Sequence, residues 1–308
     1  MGRSSSRSDG DTSMILPPGF EQQSISTSLG RMVYYTNSGS FWDFDPSNKP
    51  TLVFLHGFGG GSSAYEWSKV FPAFASDYRI LAPDLLGWGR SEHPERNYLV
   101  EDYLKTIAEF LEQTCTAPVP IIASSLTGGL AIRLAITRSE LFQSLIAIAP
   151  SGLSDFGNSY SSSFLAQLAG LPYLNRWLYA TAIATPGGIR NFLEQRQFAQ
   201  PNRIYSEIVE AYLASAKQTN AESAALSFLR GDLSFDLALY ISQLQVPTAI
   251  LWGEKSQFTN FELGKRLAAL NPAAIRYCEV IPDVGLTPQL ELPAVTIGLI
   301  RHYLQDLA

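Results

Sequence analysis

Residues 118–135 constrain the fold more than any other stretch of the sequence. The apolar run 118–122 leads into the small residues Ala123, Ser124 and Ser125, and a helical pattern follows as far as residue 135. A short buried strand that turns sharply into a helix has this pattern. Such a turn can hold one side chain clear of the sheet, and Ser125 is the residue that we expect there.

The composition limits the class of protein. Hydrophobic residues make up 46% of the 308 residues and charged residues 16%, which is the balance of a globular chain. The length suits one large α/β domain, with or without an insertion. A net charge of −6 without a long basic run argues against a nucleic-acid partner. Cys115 and Cys278 are too few for a disulfide framework and favour a reducing compartment.

The first residues of the chain carry no apolar segment. Residues 1–14 are rich in Ser, Arg and Asp, which predicts a disordered tail and not a secretory signal. No later apolar run reaches the length of a membrane helix. We therefore expect a cytoplasmic protein without a membrane span.

Strand and helix patterns alternate along most of the chain. Strands are predicted at residues 23–26, 31–35, 51–55, 79–82, 118–122, 145–149, 247–253 and 276–281. Helices are predicted at residues 64–74, 100–114, 261–270 and 294–307, and after the serine turn. Parallel strands need crossover connections, so the alternation predicts an α/β fold: a mostly parallel central sheet with helices on both faces.

The alternation stops between residues 154 and 233. Helical segments are predicted there at residues 164–168, 173–182, 188–198, 204–217 and 221–229. An all-helical insertion between two strands predicts a cap over the carboxyl edge of the sheet. We therefore divide the chain into a tail (1–14), a core domain (15–153 and 234–308) and a helical cap (154–233).

Four short motifs follow one another in a fixed order. They read LHGFGG at residues 55–60, APDLLGWGRS at 82–91, LWGEK at 251–255 and IPDVG at 281–285. Together with the serine turn, they resemble the capped α/β-hydrolase-fold superfamily of the esterase, lyase and haloperoxidase-like kind. The corresponding family segments are the oxyanion loop, the loop after strand four, and the segments that deliver the catalytic acid and histidine. The resemblance implies an α/β-hydrolase fold with a helical cap.

The serine turn resembles the family's nucleophile elbow, G-x-S-x-G, although Ala123 and Thr127 replace both glycines. A shifted alignment would place Leu126 at the nucleophile, but the flanking strand and helix match without a gap only for Ser125. The resemblance implies that Ser125 occupies the nucleophile position. It also implies that the backbone N–H groups of Phe58 and Leu126 form an oxyanion hole.

The same resemblance places Ser256 at the position of the catalytic acid and Leu286 at that of the catalytic base. Ser256 has no charge with which to orient a histidine, and Leu286 cannot accept the proton of a serine hydroxyl. A displaced acid, Asp155 or Glu254, and a displaced base, His93, remain alternatives. The sequence predicts a degenerate catalytic triad.

The other two of the three histidines have different expected places. His56 belongs to the oxyanion loop, where we expect a hydrogen-bonding scaffold residue. His302 lies on the last helix, where we expect a surface residue. No cofactor or metal is expected, because the glycines at 59–61 lack the Lys-Ser or Lys-Thr of a phosphate loop and no dinucleotide fingerprint occurs.

The predicted function is non-hydrolytic binding of an apolar small molecule, or scaffolding of a protein partner. The cap is rich in aromatic residues, most of which we expect to pack on the core while the remainder line a cleft. They are Tyr160, Phe164, Tyr173, Trp177, Tyr179, Phe192, Phe198, Tyr205 and Tyr212. The alternative is a weak or atypical serine esterase that uses Ser125 with a displaced base.

Overall fold

The computed structural model describes residues 16–38, 41–42, 45, 48–158 and 179–308. These residues form one eight-stranded sheet in the order β1-β2-β4-β3-β5-β6-β7-β8. The strands are β1 Phe20–Thr27, β2 Gly30–Asn37, β3 Thr51–Leu55, β4 Arg79–Pro83, β5 Val119–Ser124, β6 Phe142–Ile148, β7 Thr248–Gly253 and β8 Ile275–Ile281. β2 pairs antiparallel with β1 and β4, and the remaining pairs are parallel.

Helices connect the parallel strands. They are α1 Val100–Thr114, α2 Ser125–Thr137, α3 Pro186–Phe192, α4 Ser206–Ala216, α5 Ala221–Arg230, α6 Phe261–Ala269, α7 Pro288–Glu291 and α8 Pro293–Asp306. Shorter 3-10 turns occur at Ala64–Trp67, Phe71–Phe74, Ser139–Leu141, Asp155–Gly157, Pro201–Arg203, Leu237–Leu239 and Ile241–Gln243. Two segments, Tyr179–Ile183 and Leu193–Gln197, are π-helical.

The two faces of the sheet bury separate apolar layers. Alternate residues of a strand point to opposite faces, so Val53 and Leu55 of β3 join one layer while Leu52 and Phe54 join the other. α1, α2 and α6 contribute to the first layer, and α8 and the 3-10 turns near residue 70 contribute to the second. The predicted α/β fold, a mostly parallel sheet with helices on both faces, is therefore confirmed.

The helix predicted at residues 64–74 is wrong. The chain there forms two separate 3-10 turns, Ala64–Trp67 and Phe71–Phe74. Pro72 accounts for part of the difference, because it has no N–H to donate and disfavours the α conformation in the residue before it. The predicted helix at 188–198 is likewise divided, into α3 and the π-helical segment Leu193–Gln197.

The described part of the insertion, residues 154–158 and 179–233, is largely helical. The predicted helix at 164–168, most of that at 173–182, and Tyr160, Phe164, Tyr173 and Trp177 lie outside the described residues, as does the predicted tail. The division into core and cap domains stays a prediction. No helix within the described ranges is long and apolar enough to cross a membrane.

The strand order places a topological switch point between β3 and β5. The chain runs from β3 to β4 on one side of β3, and then from β4 to β5 on its other side. Ligands of open α/β sheets bind outside the carboxyl ends of the strands at such a switch point. Gly57, in the loop after β3, and the turn at Ser125 after β5 lie side by side there.

A substitution at Gly253, the last residue of β7, tests how tightly this edge of the sheet is packed. A Cβ built on Gly253 would lie 1.8 Å from the carbonyl oxygen of Gly285 and 2.6 Å from that of Val284. We expect Gly253→Ala to lower the free energy of unfolding by roughly 3 kcal/mol, the upper end of overpacking costs. Gly187→Ala is the control, because nothing lies within 4 Å of its Cβ position. Urea denaturation measures both, and equal stabilities of the two variants would contradict the packing described here.

Candidate functional site

Ser125 lies at a strained turn between β5 and α2. Its φ is +54°, in the left-handed region that non-glycine residues rarely adopt, whereas Ser124 before it is extended. Ser125 is half-buried, and its hydroxyl makes no hydrogen bond with any described residue. The structure therefore places the strand-to-helix turn at Ser125, with Leu126 fully buried behind it.

The loop after β3 passes directly beside this turn. A Cβ built on Gly57 would lie 3.3 Å from both Ser124 Oγ and Ser125 Cβ. The Phe58 side chain is buried edge-on against Trp88 and Tyr103. Its backbone N–H has no partner within the described residues, and the N–H of Leu126 belongs to the unpaired first turn of α2. Both groups are thus available to an incoming oxygen atom, although their role as an oxyanion hole stays a prediction.

The loops that carry Ser256 and Leu286 also meet. The N–H of Lys255 donates to the carbonyl of Val284 at 2.8 Å. Leu286 is buried, and its own N–H donates to the carbonyl of Gln197 at 2.7 Å. The Ser256 hydroxyl is buried without a partner among the described residues. The two loops therefore lie side by side, and neither residue carries a carboxylate or an imidazole; their roles as the acid and base positions stay predictions.

His56 is committed to the scaffold, as predicted from the sequence. The N–H of Leu85 donates to its Nε2 at 2.9 Å, which requires Nδ1 to carry the proton, and Nδ1 lies 2.7 Å from the Gly57 carbonyl. Complete burial lowers the pKa of His56 to about 4. The ring is therefore neutral at ordinary pH, and its one lone pair is already used.

The other two histidines make contacts elsewhere. His93 Nε2 lies 3.1 Å from the carbonyl of Gly89, so Nε2 donates, while Nδ1 is buried without a partner among the described residues. Burial lowers the pKa of His93. His302 lies on the exposed side of α8 and pairs with Asp306 at 3.7 Å. Neither ring forms a hydrogen bond with Ser125.

The two alternative acids, Asp155 and Glu254, form hydrogen bonds with groups other than histidine rings. Asp155 is buried, and it accepts hydrogen bonds from the Ser151 hydroxyl at 2.6 Å and from the N–H groups of Gly152 and Leu237. It thus connects the start of the insertion to the chain just after it. Burial raises the pKa of Asp155. Glu254 is exposed and accepts from the N–H of Asp283 at 3.2 Å.

A buried carboxyl that the sequence did not reveal lies beside the turn. Glu66 is 1% exposed, and its Oε2 accepts from the N–H of Gly57 at 2.9 Å. The hydroxyls of Ser62 and Ser124 face the same carboxyl, although neither forms a hydrogen bond of good geometry with a described residue. Glu66 therefore fixes the loop that borders Ser125.

Glu66 is connected to the insertion through Tyr212 on α4. The Tyr212 hydroxyl lies 3.1 Å from Glu66 Oε1 and 3.0 Å from Gln197 Oε1. One hydroxyl hydrogen can serve only one of these oxygens, so the other contact needs a second proton. A protonated Glu66 supplies it, and burial raises the pKa of Glu66 in that direction. A Gln197 amide turned the other way would supply it too.

A cavity of about 510 Å³ adjoins the loop at Gly59 and Gly60. Its other walls are formed by α3, the π-helical segment after it and α5. Gln257, from the loop that carries Ser256, also lines the cavity. The remaining described lining residues are Ala182, Ile183, Gly188, Ile189, Asn191, Phe192, Gln195, Arg196, Ala225, Phe228 and Leu229. The size is typical of small-molecule sites, and most of these side chains are apolar.

Sequence reasoning missed Glu66, Gln197 and Arg196. Glu66 is a single charge between the apolar residues Tyr65 and Trp67, and a lone carboxyl in an apolar run was the one available signal. No sequence signal indicated Gln197 or Arg196, because the positions of their side chains depend on the π-helical segment. Of the aromatic residues in the predicted cap, Phe192 lines the cavity, and Tyr212 forms a hydrogen bond with Glu66, which fixes the loop at Gly57.

Comparison with known proteins gives a consistent family. A family model described as α/β hydrolase fold matches residues 50–293. The uncharacterized hydrolase YugF of Bacillus subtilis is 26% identical over 90% of this chain and 94% of that protein. The karrikin insensitive 2 receptor IA of Petunia hybrida is 25% identical over 85% and 93%. The solved structure of the epoxide hydrolase CorEH superposes with a TM-score of 0.74 at 19% identity, covering 94% of this chain and 100% of that one.

The protonation of Glu66 can be tested by pH. Its pKa is raised above the ordinary value of 4.5. The unfolded chain therefore loses this proton first as pH rises, so the folded state loses relative stability until pH passes the raised pKa. Glu66→Gln retains the acceptor for Gly57 and donates to Tyr212 without titrating. We expect its free energy of unfolding to rise relative to the parent as pH increases from 4 to 8.

Glu66→Ala is the matched control, because it leaves the buried N–H of Gly57 without an acceptor. It should be about 1–3 kcal/mol less stable than Glu66→Gln at every pH, because neither of these two side chains titrates. Urea denaturation across the pH range measures all three proteins, and other titrating groups cancel in the differences. A parent that gains stability over the Gln variant as pH rises would show that the site favours the charged carboxylate.

Proposed function

Since the chain belongs to the α/β hydrolase fold family, we propose that it binds an apolar small molecule beside the serine turn and does not hydrolyse esters efficiently. The observation that carries this proposal is that Leu286, which the family resemblance assigns to the position of the base, is a buried leucine, while none of the three histidines forms a hydrogen bond with Ser125. A serine hydroxyl is a weak nucleophile without a group to take its proton. Ser125 has no such group within hydrogen-bonding reach among the described residues.

The remaining features of the site favour binding. The N–H groups of Phe58 and Leu126 do not depend on side-chain identity, so they can still hold a carbonyl or carboxylate oxygen. A backbone pair of this kind without a base gives at most a residual rate, of order 10³-fold over water in related triads that lack a member. The site is then one that retains a ligand and turns it over slowly or not at all.

The cavity supports an apolar small molecule as the ligand. Three of its described lining residues, Ile189, Ala225 and Phe228, are buried and apolar. Burial of apolar ligand surface stabilises a complex by about 25 cal/mol per Å² before the costs of association. The other non-hydrolytic function would be to bind a protein partner. A concave cavity favours a small molecule over a protein as the ligand.

A second candidate function is that of a weak or atypical serine esterase. The observation that favours it is the φ of +54° at Ser125, because such strain is costly and is concentrated at functional sites. This function would need His93, or another group, to move to Ser125 and Asp155 or Glu254 to support it. The relatives are named both as hydrolases and as a receptor, so family membership is compatible with either function.

We also propose a cytoplasmic location. Cys115 and Cys278 are both free thiols and half-buried. Free thiols of this kind are typical of proteins in a reducing compartment.

Ester turnover separates the two functions. We expect the parent and Ser125→Ala to hydrolyse a short-chain p-nitrophenyl ester at the same low rate, because Ser125 lacks a base. Initial rates at pH 7–8 measure this. A parent rate about a hundredfold above that of Ser125→Ala would overturn the binding proposal in favour of the esterase.

A double variant tests whether only the base and acid are missing. We expect Ser256→Asp with Leu286→His to raise ester turnover by about a hundredfold or more, the typical contribution of general acid–base catalysis. The same pair on a Ser125→Ala background should show no gain. A folded double variant without any gain would contradict the placement of Ser125, Ser256 and Leu286 around one site.

A further inference from the structure

One positively charged side chain lies on the wall of the mostly apolar cavity. Arg196 is the only charged residue among the described residues that line the cavity, and no carboxylate lies among them. The protein as a whole carries a net charge of −6. An isolated positive charge at this place therefore opposes the general charge of the molecule.

Arg196 differs from the arginine one and a half turns before it. Arg190 pairs with Glu194 at 3.2 Å. Arg196 is exposed and forms no ion pair or hydrogen bond with any described residue. Its five N–H donors, in a planar fork that suits carboxylates and phosphates, are thus available at the cavity.

The backbone around Arg196 is fixed on both sides. Arg196 belongs to the π-helical segment Leu193–Gln197, and π-helical turns frequently occur at functional sites. Leu193 is fully buried. Gln197 is also buried; its side chain contacts Tyr212, and its backbone carbonyl accepts a hydrogen bond from the N–H of Leu286. The guanidinium therefore extends from a well-held backbone, together with the exposed residues Asn191 and Gln195, at the mouth of the cavity.

We propose that the ligand is an amphiphile with an apolar body in the cavity and one acidic head group bound by Arg196 at its mouth. This inference rests on the proposed binding function and names the class of ligand. Ile189, Phe192 and Phe228 contact the apolar body, and Arg196 binds the carboxylate or phosphate through paired, charge-assisted hydrogen bonds. Both head groups share this chemistry, so the test includes one of each.

Isothermal titration with decanoate, decyl phosphate and decanol tests the proposal, because the three share a ten-carbon chain. We expect the better of the two acids to bind the parent at least about tenfold more tightly than decanol. Arg196→Gln should remove that advantage and leave decanol affinity unchanged. Raising the salt concentration should weaken acid binding alone, since the head group lies at an exposed mouth.

Two further variants make the result specific. Arg190→Gln removes a paired arginine six residues earlier in the insertion, which does not line the cavity, and should leave all affinities as in the parent. Ala225→Leu fills part of the buried wall and should weaken all three probes together, which places them in this cavity. The preferred acid identifies the head group as carboxylate or phosphate.

The contrary results are distinct. Equal affinity for decanol and both acids, or an acid preference that survives Arg196→Gln, would overturn the inference while the proposed binding of an apolar molecule stands. No binding of any probe to the parent would overturn both. Binding that Ala225→Leu does not affect would place the ligand elsewhere and would also overturn the inference.

Discussion

The site depends on how closely two backbones approach at the carboxyl ends of β3 and β5. The loop at Gly57 passes so near the turn that a Cβ there would touch both Ser124 and Ser125 at 3.3 Å. This contact is possible because residue 57 has no side chain, and it persists because Glu66 accepts the N–H of Gly57. The N–H of Phe58, the next residue, has no partner among the described residues. One glycine and one buried carboxyl thus fix the loop in which the proposed oxyanion hole lies.

The same carboxyl connects the core of the protein to the insertion. Glu66 contacts Tyr212, Tyr212 contacts Gln197, and the carbonyl of Gln197 accepts the N–H of Leu286. Glu291 strengthens this connection, because it accepts from the N–H groups of Ala199 and Gly285. Leu286 itself joins the main apolar layer. Leu286, which the family resemblance places at the position of the base, is thus part of the packing between residues 281–291 and the insertion.

Much of the fold could be predicted from the sequence, because strand and helix periodicity are local properties. β3 and α1 have the predicted bounds, and the turn occurs at Ser125. The chain from 64 to 74 could not be predicted in the same way, since packing of Trp67 and Phe71 against the sheet decides its short turns. Glu66 contacts Tyr212, more than a hundred positions away, and the place of Arg196 at the cavity depends on a π-helical segment, so no local sequence pattern indicates either.

The central proposal is that Ser125 occupies the position of a nucleophile without having its reactivity. Labelling with a fluorophosphonate probe, followed by peptide mapping, measures that reactivity directly at one side chain. The account predicts that Ser125 in the folded parent is labelled no faster than an ordinary surface serine. Rapid, stoichiometric labelling mapped to Ser125, abolished by unfolding or by Ser125→Ala, would contradict it.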